Sequence, residues 1–93
     1  MEFEWDEEKA AANLKKHTIS FEEAKTVFAD SFSITIDDSE HSTDEHRFID
    51  IGASASEEIL VVTYTERELI IRLISCRKAT RAERKIYEER ESS

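Results

Sequence analysis

Phe3 and Trp5 alternate with Glu2, Glu4 and Asp6, the period-two pattern of a short half-buried strand. Asp6 then fits the N-cap of a helix, and Glu7 and Glu8 complement the positive end of its dipole. The alanine-rich stretch 9–16 continues that helix, with Lys15, Lys16 and His17 suited to its C-terminal end. Ser20 and Glu23 have capping-box spacing and open a second helix from residue 21 to about 28. Its Phe21, Ala24, Val27 and Phe28 form one apolar face, and these aromatics read as core. Four runs rich in β-branched and aromatic residues follow, at 32–36, 46–51, 59–65 and 69–75. The connections 37–45, 52–58 and 66–68 are short enough to join antiparallel neighbours, and the second holds the one glycine, Gly52. Thr80 and Glu83 form another capping box, starting a C-terminal helix that runs to about residue 89. Ile86 and Tyr87 are its few apolar residues, so it docks by a narrow stripe. The order β-α-α-β-β-β-β-α predicts an α+β domain spanning residues 1–93, an antiparallel β-meander with its helices on one face.

Composition narrows the function classes. Leu, Ile, Val and Phe make 22 of the 93 residues, enough for a modest core in a chain that is 38% charged. The formal net charge of −9 argues against a general nucleic-acid coat protein, which is normally basic. No apolar run approaches the roughly 20 residues of a membrane span. The acidic start Met-Glu-Phe-Glu-Trp-Asp is unlike a signal peptide. A single cysteine, Cys76, supplies neither an internal disulfide nor a zinc framework, so the expectation is a soluble protein of a reducing cytoplasm.

The charge is unevenly spread. Residues 1–66 hold 5 bases and 17 acids, whereas residues 67–93 hold 8 bases and 5 acids. Arg67, Arg72, Arg77, Lys78, Arg81, Arg84 and Lys85 cluster within this second part. Such a cluster reads either as a local anion site on an acidic body or as a solvated, salt-bridged helix.

With one glycine there is no phosphate-cradling loop, and no Gly-x-Ser-x-Gly elbow exists. Arg77 and Lys78 would lower the thiol pKa of Cys76, although its place at the end of an apolar strand favours plain burial. Segment 37–47 holds His41 and His46 among five acids, but lacks the spacing of a specific metal site; no metal and no cofactor is expected. His41 or His46 beside Glu45 suits proton exchange near neutral pH instead. Arg72 lies within an apolar strand, so its guanidinium needs a partner, either an acid such as Glu45 or a bound phosphate. Arg67, Arg77 and Lys78 flank the last two strands, and with Arg47 they could converge at one sheet edge on a phosphodiester. Arginines stabilise the charge of a pentacoordinate transition state while a histidine or glutamate moves protons. Such a site cleaves RNA, because the 2′-hydroxyl supplies the nucleophile.

Phe3-Glu4-Trp5-Asp6, Lys9, Asn13, Lys16-His17 and Ser20-Phe21-Glu22-Glu23-Ala24 resemble the start of the BrnT toxin family. The resemblance continues through His41-Ser42, Glu45, Arg47, Gly52, Ser54, Tyr64-Thr65 and Arg67. It resumes at Ile71-Arg72, Ile74-Ser75, Arg77-Lys78-Ala79-Thr80, Glu83-Arg84 and Tyr87, and so covers nearly the whole chain. It implies a RelE-like ribonuclease toxin of a type II toxin–antitoxin system that inhibits translation when free. The implied partner is an antitoxin with a ribbon-helix-helix DNA-binding domain, forming a heterotetramer that represses its own operon. The sequence departs from the family pattern at Thr18, where glycine is usual, at Ser31, where proline is common, and at His46, where an acid is usual. Glu57-Glu58 stands in place of a Gly-Arg pair and removes a basic residue. The residues expected to act are Arg67, Arg72 and Arg77 on the phosphate, with His41 or Glu45 as base or acid. Arg47 would orient these, and Lys78 and Arg81 would add substrate contacts. The competing reading is a catalytically weak protein kept for antitoxin binding and operon control.

Overall fold

The computed structural model describes residues 1–38, 40 and 45–92. Its elements are β1 (Glu2–Glu4), α1 (Glu7–His17), α2 (Phe21–Ala24), a 3-10 helix (Lys25–Ala29), β2 (Ile34–Asp37), β3 (Arg47–Ala53), β4 (Ile59–Arg67), β5 (Ile70–Lys78) and α3 (Arg81–Glu91). The five strands form one sheet in the order β1-β5-β4-β3-β2. β2 to β5 pair antiparallel, while β1 joins the outer edge of β5 in parallel, setting Glu4 opposite Arg72.

Local chemistry explains the helices. The Asp6 carboxylate accepts hydrogen bonds from the Glu8 and Lys9 amides and caps α1. Thr18 ends that helix in the left-handed region, at φ 60° and ψ 24°, with its amide on the Leu14 carbonyl. Glycine is the residue best suited to that conformation, so threonine there carries strain of about 1–2 kcal/mol. Asn13 is buried and joins two elements: its amide donates to the Ile19 carbonyl, and its Oδ1 accepts from the Cys76 amide at 3.0 Å. Because β1 reaches only as far as Arg72 along β5, this side chain satisfies a donor that has no strand neighbour.

Two sequence expectations are corrected along this stretch. The Ser20–Glu23 capping box is only half formed. Ser20 Oγ accepts from the Glu23 amide, but the Glu23 carboxylate accepts from the Ser54 and Ser56 hydroxyls and so fastens the β3–β4 turn. Residues 32 and 33 are not strand. The Phe32 amide bonds to Asp30 Oδ1 and the Ser33 amide to the Asp30 carbonyl, a turn that delays β2 until Ile34.

The core lies on both faces of the sheet. Phe21, Ala24, Val27, Leu60, Val62, Tyr64 and Leu73 form the larger cluster, with Phe3, Trp5 and Phe28 packed against it. Ile51, Val61 and Tyr87 form the smaller one. Leu60 and Val62 alternate with Val61 along β4, so the two clusters occupy opposite faces. The expectation of helices on one face is therefore corrected: α1 and α2 cover one side, and α3 covers the other through Tyr87.

Tyr87 also reaches past the start of β2, where its hydroxyl donates to Asp30 Oδ2 at 2.6 Å. The same carboxylate accepts from the Ala53 amide at 2.8 Å. Burial raises the Asp30 pKa, but bonds from Tyr87, Ala53 and Phe32 outweigh it and hold the carboxyl below its ordinary range. Gly52, expected in a loop, lies inside β3 beneath this knot. A Cβ there would meet Ser33 Cβ and Val27 Cγ1 at 2.9 Å. The demand on this glycine is for space, since its φ is not positive.

Candidate active site

The hairpin end of the sheet gathers the polar residues. Cross-strand register aligns Arg47, Thr65, Arg72 and Glu4 in one row across β3, β4, β5 and β1. Beyond the Glu66–Ile71 pair, Arg67 and Ile70 form the next row on the same face, closing the hairpin through a two-residue turn at Glu68-Leu69. Glu68 adopts φ 57°, the left-handed conformation that a two-residue hairpin turn demands, without the glycine or asparagine that usually signals it. A cleft of about 240 Å³ opens here, lined by Glu4, Glu45, Thr65, Arg67, Ile70 and Arg72.

Both cleft arginines have acidic partners. Arg67 Nη2 lies 2.9 Å from Glu45 Oε1, with 73% of the arginine side chain exposed. Arg72 Nη1 lies 3.1 Å from Glu4 Oε2, with 43% of its side chain exposed. The acid that Arg72 needs as a partner is present, but it is Glu4 of β1 and not Glu45. The alternation of Phe3 and Trp5 does put Glu4 on the other face, but no local pattern names β5 as its neighbour.

Arg77 and Lys78 do not converge with this group, contrary to expectation. Arg77 is five residues beyond Arg72, about 16 Å along an extended strand. Its guanidinium grips Glu83 through Nη1 and Nη2 at 2.8 and 2.9 Å. Lys78 pairs with Leu60 and projects on the α1 side of the sheet. Arg81, Arg84 and Lys85 line an open groove of α3 with Glu88. Glu57-Glu58 also lies at this far end, a full β4 length from Arg67, so the lost basic residue is remote from the cleft. His46 bonds Asp37 at 2.7 Å and does not line the cleft. His41 lies outside the described residues.

The Arg77 bond, with smaller contributions from Thr80, lowers the Glu83 pKa to about 2 against the opposing effect of burial. A carboxyl depressed in the folded state stabilises fully above its unfolded pKa and loses that stabilisation as pH falls through the folded value. The Tm difference between the native chain and Glu83→Gln is thus expected to be largest above about pH 4.5 and to shrink toward pH 2. Thermal melts across this range check it; a difference that grows on acidification would contradict the assignment.

Tyr64, Asp50 and Cys76 are buried titratable groups outside the cleft lining. Tyr64 donates to Asp50 Oδ1 at 2.8 Å, stacks on Phe48 and meets Phe28 edge-on. Burial raises the Asp50 pKa despite bonds from Tyr64 and Thr35, and nearby Glu66 raises it further. Tyr64 thus belongs to the core, and no local pattern in the sequence signals the buried acid beneath it. Cys76 is 1% exposed, and burial pushes its thiol up to about 12, with Glu23 adding to the rise and Arg77 only partly opposing it. The flanking cations do not make it reactive.

A small α+β sheet protein with guanidiniums facing one cleft at a hairpin end is equipped to bind an anion such as a phosphodiester. The chain belongs to the BrnT family: the model of the ribonuclease toxin BrnT of type II toxin–antitoxin systems matches residues 5–83. Its fold is similar to the 1.1 Å crystal structure of the Brucella abortus ribonuclease toxin BrnT, with a TM-score of 0.66 and 21% identity. That alignment covers 87% of this chain and 99% of the Brucella chain. No curated protein matches the chain. Family membership implies ribonuclease activity and an antitoxin partner. No helix among the described residues is long and apolar enough to cross a membrane.

Proposed function

We propose that this chain is a RelE-like endoribonuclease toxin that works without a metal ion in the cytoplasm and inhibits translation until its antitoxin binds. The observation that carries the reading is the pair Arg67 and Arg72 facing one cleft, with Glu45 on Arg67. In the proposed reaction the substrate's 2′-hydroxyl attacks the adjacent phosphorus and passes its proton to the Glu45 carboxylate. Arg67 and Arg72 stabilise the charge that gathers on the phosphoryl oxygens. The P–O5′ bond breaks, the leaving oxygen takes a proton from His41, and a 2′,3′-cyclic phosphate and a 5′-hydroxyl result. Arg47, one strand from Thr65 in the cleft row, orients Glu45. Lys78 and Arg81 contact RNA away from the cut. Arg77 is the weakest of the proposed catalytic arginines, because Glu83 already engages both of its terminal nitrogens. The partner is an antitoxin with a ribbon-helix-helix domain, assembled with the toxin as a heterotetramer.

Induced expression of the chain alone is expected to arrest bacterial growth with fragmented RNA. The purified protein is expected to cleave RNA in the presence of a chelator and to spare a substrate carrying 2′-deoxyribose at the cut. One observation favours the weaker alternative of an antitoxin-binding protein acting in operon control: each cleft arginine is already paired with a glutamate. Normal growth and intact RNA despite soluble expression would select that alternative.

A further inference from the structure

Among the described residues the cleft lining holds two guanidiniums and two carboxylates in two ion pairs, whose formal charges cancel. Carboxylate and phosphate oxygens compete for the same guanidinium donors. An incoming phosphodiester therefore exchanges with a carboxylate rather than filling a vacant cationic site. The two pairs differ in how readily they yield. Glu45 precedes β3 and holds the more exposed arginine, whereas Glu4 sits within β1, its backbone fixed opposite Arg72 by pairing with β5. Glu4 meets Arg72 through one nitrogen, Nη1, out of the five N–H donors that a guanidinium carries. It can thus orient Arg72 while leaving donors to face the cleft.

We propose that Glu4 is a positioning residue and an anion surrogate: it holds Arg72 toward the cleft and, by occupying one of its donors, weakens the site's affinity for phosphate. The inference rests on the reading of this cleft as the RNA-phosphate site. On a chain of net charge −9, such a device keeps the site from binding stray small anions. A substrate that brings contacts elsewhere along its backbone still competes for Arg72.

Inorganic phosphate is the probe, titrated into the full chain and followed by calorimetry and by the Arg72 side-chain NMR resonance. Glu4→Gln preserves size and an acceptor oxygen but removes the charge. It is expected to bind phosphate about fivefold more tightly, the order of one exposed ion pair. Oligoribonucleotide KM should fall with it, while kcat does not rise. Glu4→Asp, which restores a carboxylate, should return affinity toward the native value. Glu2→Gln removes the same charge from the same strand, opposite Ile70 rather than Arg72, and should leave affinity near native. A misfolded variant would weaken binding, so tightening cannot come from damage. Unchanged or weaker phosphate affinity in Glu4→Gln, or equal tightening in Glu2→Gln, overturns the inference. If Arg72→Ala binds phosphate as well as the native chain, the phosphate reading of the cleft is lost as well.

Discussion

Arg72→Ala is expected to lower kcat for RNA cleavage by about 10²–10³-fold, the loss seen when a preorganised donor to a developing oxyanion is removed. The physical argument is positional. Arg72 stands in a central strand between β1 and β4, so its backbone cannot drift, and Glu4 holds its guanidinium at the cleft wall. A fixed cation needs no reorganisation when charge builds on the phosphoryl oxygens. Arg67 lies at the hairpin end on a more exposed side chain, and Arg67→Ala should cost less. The fold should survive both changes, because neither guanidinium is buried and exposed ion pairs of this kind contribute little stability. Single-turnover cleavage of an oligoribonucleotide, alongside far-UV circular dichroism and a thermal melt, separates the two effects. Arg77→Ala provides the contrast: it should lower Tm by unpairing Glu83 and affect cleavage less than Arg72→Ala. If Arg77→Ala instead abolished cleavage at unchanged Tm while Arg72→Ala was harmless, the active site would belong at the α3 end of the sheet.

Gly52→Ala should be among the most destabilising single-methyl changes in the chain, at about 2 kcal/mol. That corresponds to a Tm loss of about 10 °C for a domain of this size. The new Cβ would stand 2.9 Å from Ser33 Cβ and Val27 Cγ1, and 3.2 Å from Asp30 Oδ2. None of these can swing aside. Ser33 Cβ is tied to the backbone entering β2, Val27 is fully buried, and Asp30 is held by Tyr87, Ala53 and Phe32. Relief requires moving the 3-10 helix off the sheet, and with it the Asp30 contact that latches α3. A thermal melt checks this directly; a Tm within a degree or two of the native chain would mean that β3 and the 3-10 helix pack more loosely than described. Cleavage per folded molecule should be preserved, since the cleft is at the opposite end of the strands.

Most of the architecture was legible because it is written locally. Asp6, Ser20 and Thr80 each cap a helix through bonds to amides two or three residues on. β-branched alternation marked the four later strands to within a few residues at each end. The errors have one kind of cause. Phe32 looked like strand until the Asp30 turn claimed its amide. Gly52 looked like a loop glycine until a helix 25 residues earlier in the chain lay against it. Glu23 had the spacing of a reciprocal cap, but two serines more than 30 residues away offered better donors.

The candidate site divides along the same line. The sequence by itself determined that arginines gather in the last third of an acidic chain, on or beside apolar strands. Residue type and short-range periodicity carry that much. Only the tertiary structure decided which of them act together. Period-two alternation fixes the face of a strand but not its neighbour, and β1 could lie along either edge of the sheet. Once β1 pairs with β5, Glu4 meets Arg72 across 68 positions of sequence. The strand rise then parts Arg72 from Arg77, and α3 supplies Glu83 to hold Arg77 at the far end.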